Sequence, residues 1–214
     1  MSIVDNSSLR AGSVFSISFW FKLSNISGNQ VILYKGVLDG SDDVEYSIQF
    51  RTDNGNSLRY WLGANFNVDD HSANGSNVLN ANVAYHVVMI YNGSLTGDTN
   101  RLKAYINGVQ ESLSFNAGGI TSNVTALPGE FRFGVGSYNS NPFQYMTGWI
   151  DEGKFYNVAF TASQVAALYN NGFGSTCPPK PSLIKTSSIL SVGGYYQIES
   201  AAFGIITSFW SVGM

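Results

Sequence analysis

The stretch from Gly148 to Thr161, Gly-Trp-Ile-Asp-Glu-Gly-Lys-Phe-Tyr-Asn-Val-Ala-Phe-Thr, constrains this chain more than any other. Met146, Gly148 and Ile150 alternate with Thr147, Trp149 and Asp151, the period of a strand with two distinct faces. Thr161-Ala162-Ser163-Gln164 then reads as a capping box, the Thr161 hydroxyl meeting a free amide and Gln164 reaching back. Val165, Leu168 and Tyr169 follow at helical spacing, and Asn170-Asn171-Gly172 tolerates the left-handed conformation that ends a helix. A strand that runs directly into a short helix near residues 161–170 is therefore expected.

Upstream, short strands recur with turn chemistry between them. Phe15, Ile17, Phe19 and Phe21 share one face of a strand, with Ser16, Ser18, Trp20 and Lys22 on the other. Val31 to Tyr34 is a short buried run. Tyr46, Ile48 and Phe50 alternate with Ser47, Gln49 and Arg51, and Leu58, Tyr60 and Leu62 alternate with Arg59, Trp61 and Gly63. The Asn54-Gly55 pair between those two strands is a hairpin signal, because Asn and Gly readily take positive φ. Residues 85–91 and 102–106 form a second pair of strands, followed by Asn107-Gly108; Phe131, Phe133 and Val135 alternate again. Many short strands and one helix predict an all-β fold, a two-sheet antiparallel sandwich of jelly-roll type.

Three of these pieces, Phe15–Lys22, the 85–91 and 102–108 pair, and Gly148–Thr161, resemble in sequence and order the laminin-G-like domains of the concanavalin A-like lectin/glucanase superfamily. The resemblance covers roughly residues 3 to 173 and implies a sandwich over 1–174. It says little of function, because this fold hosts lectins, adhesion modules, glycosidases and virion proteins. Such domains usually begin with an additional strand before the segment matched by Val4–Leu9, and only three residues precede it here. The expectation is an open sheet edge, to be filled by the tail or by a neighbouring chain.

Residues 175–182, with Pro178, Pro179 and Pro181, read as an extended linker. Residues 183–214 read as an apolar β-rich tail packing on the sandwich or on a partner chain; its only charges are Lys185 and Glu199. Its last run, after Glu199, is shorter than the roughly 20 residues a helix needs to span a bilayer. Cys177 is the single cysteine, so no internal disulfide forms; it reads as a solvent-facing linker thiol, with a bridge between chains as the alternative. The N-terminus shows neither the basic start nor the apolar core of a signal peptide.

Charged residues make up only 12% of the chain, about half the usual share, and the net charge is −3. The polar surface therefore comes from Asn, Ser, Thr and Gly, which suits sugars or close packing against protein. Nucleic acid is excluded as a partner, since no basic cluster is present to neutralise phosphates.

Glycoside hydrolysis needs two carboxylates flanking one bond. The Asp39–Asp43 segment reads as a loop, and Asp151 and Glu152, adjacent on a strand, point to opposite faces. His86 lies mid-strand among apolar residues and reads as a packed imidazole, His71 lies in a polar loop, and neither a serine-nucleophile elbow nor a zinc motif is present. The chain reads as no enzyme and needs no cofactor. Calcium is the one candidate ion: Asp39, Asp42, Asp43 and Glu45 offer oxygens from one loop, and Asp151 matches the family's Asp-Glu pair. The competing readings are a solvated turn for the loop and a backbone hydrogen bond for Asp151.

Sugar recognition calls for an aromatic plate with amide or guanidinium donors. Arg59, Trp61 and Asn65 sit opposite the core-facing residues of their strand, which places Trp61 on an exposed sheet face. Tyr138, Asn139, Asn141, Phe143 and Tyr145 make a second, aromatic loop. The competing reading has Trp61 packed under a loop stapled by Phe143. Trp20 and Trp149 read as core or inter-sheet packing. Taken together, the sequence predicts a non-catalytic surface module that binds glycans and belongs to a virion or other extracellular assembly, as capsid decoration or fibre, with a homo-oligomer or neighbouring chains contacted through the tail. The alternatives are a stand-alone lectin or adhesin module and a glycoside hydrolase.

Overall fold

The computed structural model describes residues 2–37, 43–65, 71–138, 141–169 and 207–209. In chain order the elements are β1 (Ser2–Ile3), β2 (Val14–Leu23), β3 (Gln30–Gly36), β4 (Asp43–Arg51), β5 (Ser57–Asn65), β6 (Ser72–Gly75), β7 (Ala84–Asn92), α1 (Asp98–Arg101), β8 (Leu102–Ile106), β9 (Val109–Gln110), β10 (Leu113–Phe115), β11 (Glu130–Phe133), β12 (Gly136–Tyr138), β13 (Asn141–Phe143), β14 (Gly148–Tyr156), α2 (Ala162–Tyr169) and β15 (Thr207–Phe209). Every ladder is antiparallel. A seven-stranded sheet runs β1-β11-β3-β4-β5-β6-β10, a six-stranded sheet runs β15-β14-β2-β7-β8-β9, and β12 and β13 form a separate hairpin.

The alternation read from the sequence sets the core. Phe15, Ile17, Phe19 and Phe21 of β2 meet Tyr46, Ile48 and Phe50 of β4 and Leu58, Tyr60 and Leu62 of β5 in one cluster between the sheets. Phe15 lies 5.3–5.5 Å, centroid to centroid, from Tyr46, Tyr91 and Phe155, and such tilted and offset pairs add to simple burial. Along β7 the apolar run is continuous because both faces are covered. Val87, Met89 and Tyr91 face this core, while Val88 and Ile90 face outward against Val165 of α2.

That helix begins as the sequence predicts. The Gln164 side-chain oxygen accepts from the Thr161 amide at 2.8 Å, and the Thr161 hydroxyl accepts from the Gln164 amide at 3.3 Å. Trp20 is buried, as the core reading expects, but on the outer face of the six-stranded sheet rather than between the sheets, beside Tyr169 of α2 at 5.8 Å. Trp149 is half-buried on the same face, with the Lys22 ammonium 5.8 Å from its ring. The difference follows from register: Trp20 pairs with Asp151 and His86 on the face opposite Phe19 and Phe21.

The two Asn-Gly turns behave differently. Asn107 and Gly108 take φ of 51° and 77° and join β8 to β9 as a two-residue hairpin, since Ile106 pairs with Val109. Between β4 and β5 the positive φ values fall on Gly55 and Asn56, because Arg51 pairs with Ser57 and the loop is longer than two residues. The helical turn α1 and a 3-10 turn at Ser7–Leu9 carry no periodic signal long enough to read from sequence.

The N-terminus also departs from expectation. Ser2 and Ile3 form a strand after all, paired with Arg132 and Phe131 at the edge of the seven-stranded sheet. An ionic cluster holds this segment down. Asp5 pairs with Arg10 and with Lys35, whose ammonium lies 3.0 Å from the carboxylate and also donates to the carbonyl of Leu127 at 2.8 Å. Of the tail, Thr207–Phe209 pairs with Phe155, Lys154 and Gly153 of β14, at the edge of the other sheet. The linker 175–182 and the rest of the tail lie outside the described residues, as does Cys177.

Candidate functional site

Lateral pairing assembles a surface on the outer face of the seven-stranded sheet. One row across the strands is Arg132, Tyr34, Ser47, Trp61 and Ser72; the next is Val31, Gln49, Arg59, Asn74 and Ser114. These residues lie opposite the core positions Leu33, Ile48, Tyr60 and Ala73; the two-residue period sets their common face on β4, β5 and β6, and on β3 a bulge between Val31 and Leu33 brings Val31 and Tyr34, three residues apart, to the same side.

Polar side chains on this face are tied to one another. The Ser47 hydroxyl donates to the Leu33 carbonyl at 2.9 Å and accepts from the Gln49 amide at 3.3 Å. The Arg59 Nε donates to the Ser72 Oγ at 2.9 Å, and Asn116 donates to the same oxygen at 2.6 Å. This anchoring lays the Arg59 guanidinium over Trp61, 4.4 Å from the ring centroid. Trp61 in turn clusters with Val31, Tyr34 and Val44, and Phe143 packs against that cluster from the β12–β13 hairpin.

The structure thus brings together Arg59, Trp61 and Phe143, which the sequence placed in two separate candidates. It does not leave Trp61 exposed: only 5% of the residue is accessible, and the surface offered is the half-buried Arg59 plane with Phe143 at its side. The correction has a simple cause. Alternation tells which face of a strand a residue takes, and a second layer over that face is invisible to it. Tyr145 is 64% exposed just beyond Phe143, and Asn141 is exposed on β13. Tyr138 closes β12 and Asn65 closes β5; their side chains, and all of Asn139, lie outside the described residues.

Of the candidate calcium ligands, the two whose side chains are described, Glu45 and Asp151, lie in different sheets. Glu45, read as part of an acidic loop, is buried in β4 where the register slips between Lys35 and Gly36. Its carboxylate accepts the amides of Ala11 and, at 3.0 Å, Leu127, and lies 3.5 Å from the Lys35 ammonium. Burial pushes its pKa up, against the lowering effect of these donors. A carboxylate so occupied, with a lysine beside it, is a structural pin rather than a cation ligand. Asp151 lies in the other sheet, where its Oδ1 accepts the Glu152 amide at 2.8 Å across a bulge. Asp39 and Asp42, and the Asp43 side chain, lie outside the described residues. Among those described, no three His, Cys, Asp or Glu side chains gather.

The other described carboxylates also have partners: Asp53 with Arg51, Asp98 with the Ile120 amide, Glu111 with Tyr60 and Asn77, Glu130 with Arg132 and Glu152 with Lys154. His86 is buried as expected, its Nε2 2.9 Å from the Ser18 hydroxyl and its ring near Trp20 and Tyr169. Burial, with Lys154 nearby, lowers its pKa to about 4. His71 Nδ1 meets the carbonyls of Gly118 and Gly119 at 3.0–3.1 Å. No helix among the described residues is long and apolar enough to cross a membrane.

Alternation puts Ser47 and Gln49 off the core without gathering them with Arg59; Tyr34 reads only as the end of a buried run, and Ser72 and Asn116 carry no periodic signal. Only strand order and register join them.

A jelly-roll sandwich with an aromatic and polar outer sheet face defines a lectin-type domain. A laminin-G-like family model, described as the concanavalin A-like lectin/glucanases superfamily, matches residues 2–166, and the chain belongs to that family. No curated protein matches it. Among solved structures it is similar to a sialidase carbohydrate-binding module of Ruminococcus gnavus bound to α2,3 sialyllactose, at 14% identity and TM-score 0.60, over 79% of this chain and 95% of that one. It is similar also to domain 4 of an extracellular arabinanase from Geobacillus stearothermophilus in complex with arabinotriose, at 23% identity and TM-score 0.53, over 78% and 71%. A third is a pentraxin from Limulus polyphemus, at 14% identity and TM-score 0.52, over 78% and 80%. At these identities the likeness concerns the fold.

Proposed function

We propose that this chain is a non-catalytic glycan-binding module, built into a virion or another extracellular surface assembly. The observation that carries the binding reading is the Arg59–Trp61 stack with Phe143 beside it, set among Ser, Asn and Gln side chains on one sheet face. An oriented guanidinium and neutral amides donate to sugar hydroxyls, and the adjacent aromatic edge receives the apolar face of a pyranose or furanose. Solved domains of the same fold hold sialyllactose and arabinotriose, which supports sugars as the ligand class. The non-catalytic reading draws support from the described carboxylates, each held by a local donor and none poised as a pair across a cleft.

A glycan array probed with the full chain, followed by titration of the best sugar, tests the binding reading. Arg59→Ala should weaken binding about tenfold, as loss of a charge-assisted donor implies, and leave the melting temperature nearly unchanged. Equal binding by wild type and variant overturns the site. Release of reducing ends from any array sugar overturns the non-catalytic reading.

The assembly reading draws on the tail. Lys185 and Glu199 are its only charges, and its β15 segment pairs at a sheet edge on β14. An apolar segment of that length wants cover from water. Truncation after Pro181 should cost solubility or change the oligomer in light scattering; an equally stable, unchanged particle shows the tail to be dispensable.

A further inference from the structure

Four Asn-Gly pairs lie among the described residues, at 54–55, 74–75, 92–93 and 107–108. In such a pair the glycine nitrogen can attack the asparagine side-chain carbonyl, because no glycine side chain stands in the way. The asparagine side chain must swing over the glycine, and there must be room around that glycine. Three of the pairs deny this. Gly75 is buried in β6, where a Cβ would meet the Glu111 carboxylate at 2.6–2.9 Å, and Asn74 is paired with both Arg59 and Ser114. Gly93 is buried against Tyr91 and the Ser122 carbonyl, and its amide donates to the Ser13 carbonyl at 2.8 Å. Gly108 lies against Tyr169, whose ring a Cβ would meet at 2.8 Å, and Asn107 Oδ1 accepts the His86 amide at 2.9 Å.

Asn54-Gly55 differs on each count. The pair sits at the apex of the 52–56 turn between Arg51 and Ser57. The turn is pinned at its ends, where the Thr52 amide donates to Asn29 Oδ1 at 2.9 Å and the Asn56 carbonyl accepts the Leu79 amide at 2.8 Å. Gly55 between them is exposed, with a φ of 71° and nothing within 4 Å of where its Cβ would lie. Its amide meets no acceptor among the described residues. The Asn54 side chain has one tie, Nδ2 donating to Ser57 Oγ at 2.7 Å, and its Oδ1 meets no donor among the described residues.

We propose that Asn54 is a covalent modification site, the first of these four asparagines to convert to aspartate or isoaspartate by ring closure onto Gly55. The Gly55 nitrogen gives its proton to solvent and bonds to Asn54 Cγ; the Cγ–Nδ2 bond breaks and ammonia leaves, taking up a proton. Water then opens the cyclic imide at either carbonyl. The co-reactant is water, and nothing is oxidised or reduced. The new carboxylate sits beside Asp53, which holds Arg51 through its Nε at 2.9 Å. Arg51 shares a face of β4 with Gln49, the partner of Arg59 across the ladder. Modification thus adds a negative charge at the rim of the candidate sugar face, and it does so whatever ligand that face takes.

Incubation of the full chain at mildly alkaline pH, followed by peptide mapping in a mass spectrometer, tests the site. The peptide holding Asn54 should gain the mass of an amide-to-acid change at least about tenfold faster than those holding Asn74, Asn92 and Asn107, which react only through local opening. In urea the four rates should converge, because the same glycine follows each asparagine and the fold no longer separates them. Asn54→Gln should abolish the fast event, since glutamine must close a larger ring, and leave the other three peptides at their wild-type rates. Conversion of Asn74, Asn92 or Asn107 first, or of Asn54 no faster than these, overturns the proposal. An equal lead for Asn54 in urea overturns it too, because the preference then lies in local sequence and not in the fold. Isoaspartate at position 54 is the expected product of imide opening; aspartate alone means direct hydrolysis and sinks the ring closure.

Discussion

Each sheet of this sandwich covers a tryptophan on its outer face, and the two covers differ in kind. On the six-stranded sheet Trp20 is packed with His86 and with Tyr169 of α2, a helix closed by a reciprocal cap and anchored by the fully buried Val165. On the seven-stranded sheet Trp61 is covered by the Arg59 plane and by Phe143, from a hairpin with three residues per strand and two buried polar atoms lacking partners. The two residues are similarly buried, 9% and 5% exposed, so burial alone does not distinguish a structural tryptophan from one in a binding surface. Unpaired polar atoms do not distinguish them either, since His86 Nδ1 beside Trp20 lacks a partner as Ser137 Oγ and Gln144 Oε1 do; the covering element does, a capped helix on one face and a short hairpin on the other.

The largest effect expected from this contrast is on Trp20. Trp20→Ala should cost about 3–5 kcal/mol in urea unfolding, the usual range for a buried aromatic truncated in place. Trp61→Ala should cost less, about 2 kcal/mol, because the Arg59 side chain and the short hairpin over it can settle into the space more readily than the strands around Trp20. Equal losses at the two sites would break the comparison and make both faces permanent core.

The next effect is a pH dependence, read on the helical side through His86. His86 has its pKa lowered to about 4 by burial, so it stays neutral in the folded protein while an unfolded chain charges near 6.5. The unfolded state therefore binds more protons between these values, and stability falls as pH drops through that window, by on the order of 3 kcal/mol. Glu45 acts with the opposite sign just above its ordinary value, since burial raises its pKa and favours the folded state once it is protonated. Asp5, held down to about 2 by Arg10 and then Lys35, contributes stability that is lost only below about 3.8. Comparison of wild type with His86→Phe at pH 7 and pH 4.5 isolates the histidine. A wild-type loss that persists undiminished in the variant sinks the assignment.

How much of this contrast the sequence carries depends on the interaction that sets each part. The capping box and the alternating inner faces of β2, β4 and β5 depend on residues a few positions apart, and they fold as read. Lys35, Glu45 and Asp5 meet only through a register slip and a returning N-terminus, so Glu45 reads as a surface acid and is in fact a buried pin. The candidate site falls between these cases. Arg59 and Trp61 share a face by simple alternation, whereas Phe143 reaches them because the hairpin folds back onto β3, a long-range pairing that no local pattern encodes.

The smallest effect concerns the helical cap, and it probes why one cover is firm. Thr161→Ala removes the hydroxyl that accepts the Gln164 amide at 3.3 Å and should cost about 1 kcal/mol. The loss is expected to be local, because Thr161 is exposed and touches α2 only at its first turn. Fraying there propagates toward Val165 and Tyr169, so the indole N–H of Trp20 should exchange several-fold faster than in wild type, while that of Trp61 stays put. Should the uncapped helix leave Trp20 fully protected, the firmness of that cover lies in the packing of Val165 against Val88 and Ile90 rather than in the cap. If Trp20 instead becomes as labile as Trp61, the firmness of the helical cover reduces to the hydrogen bonds at its first turn.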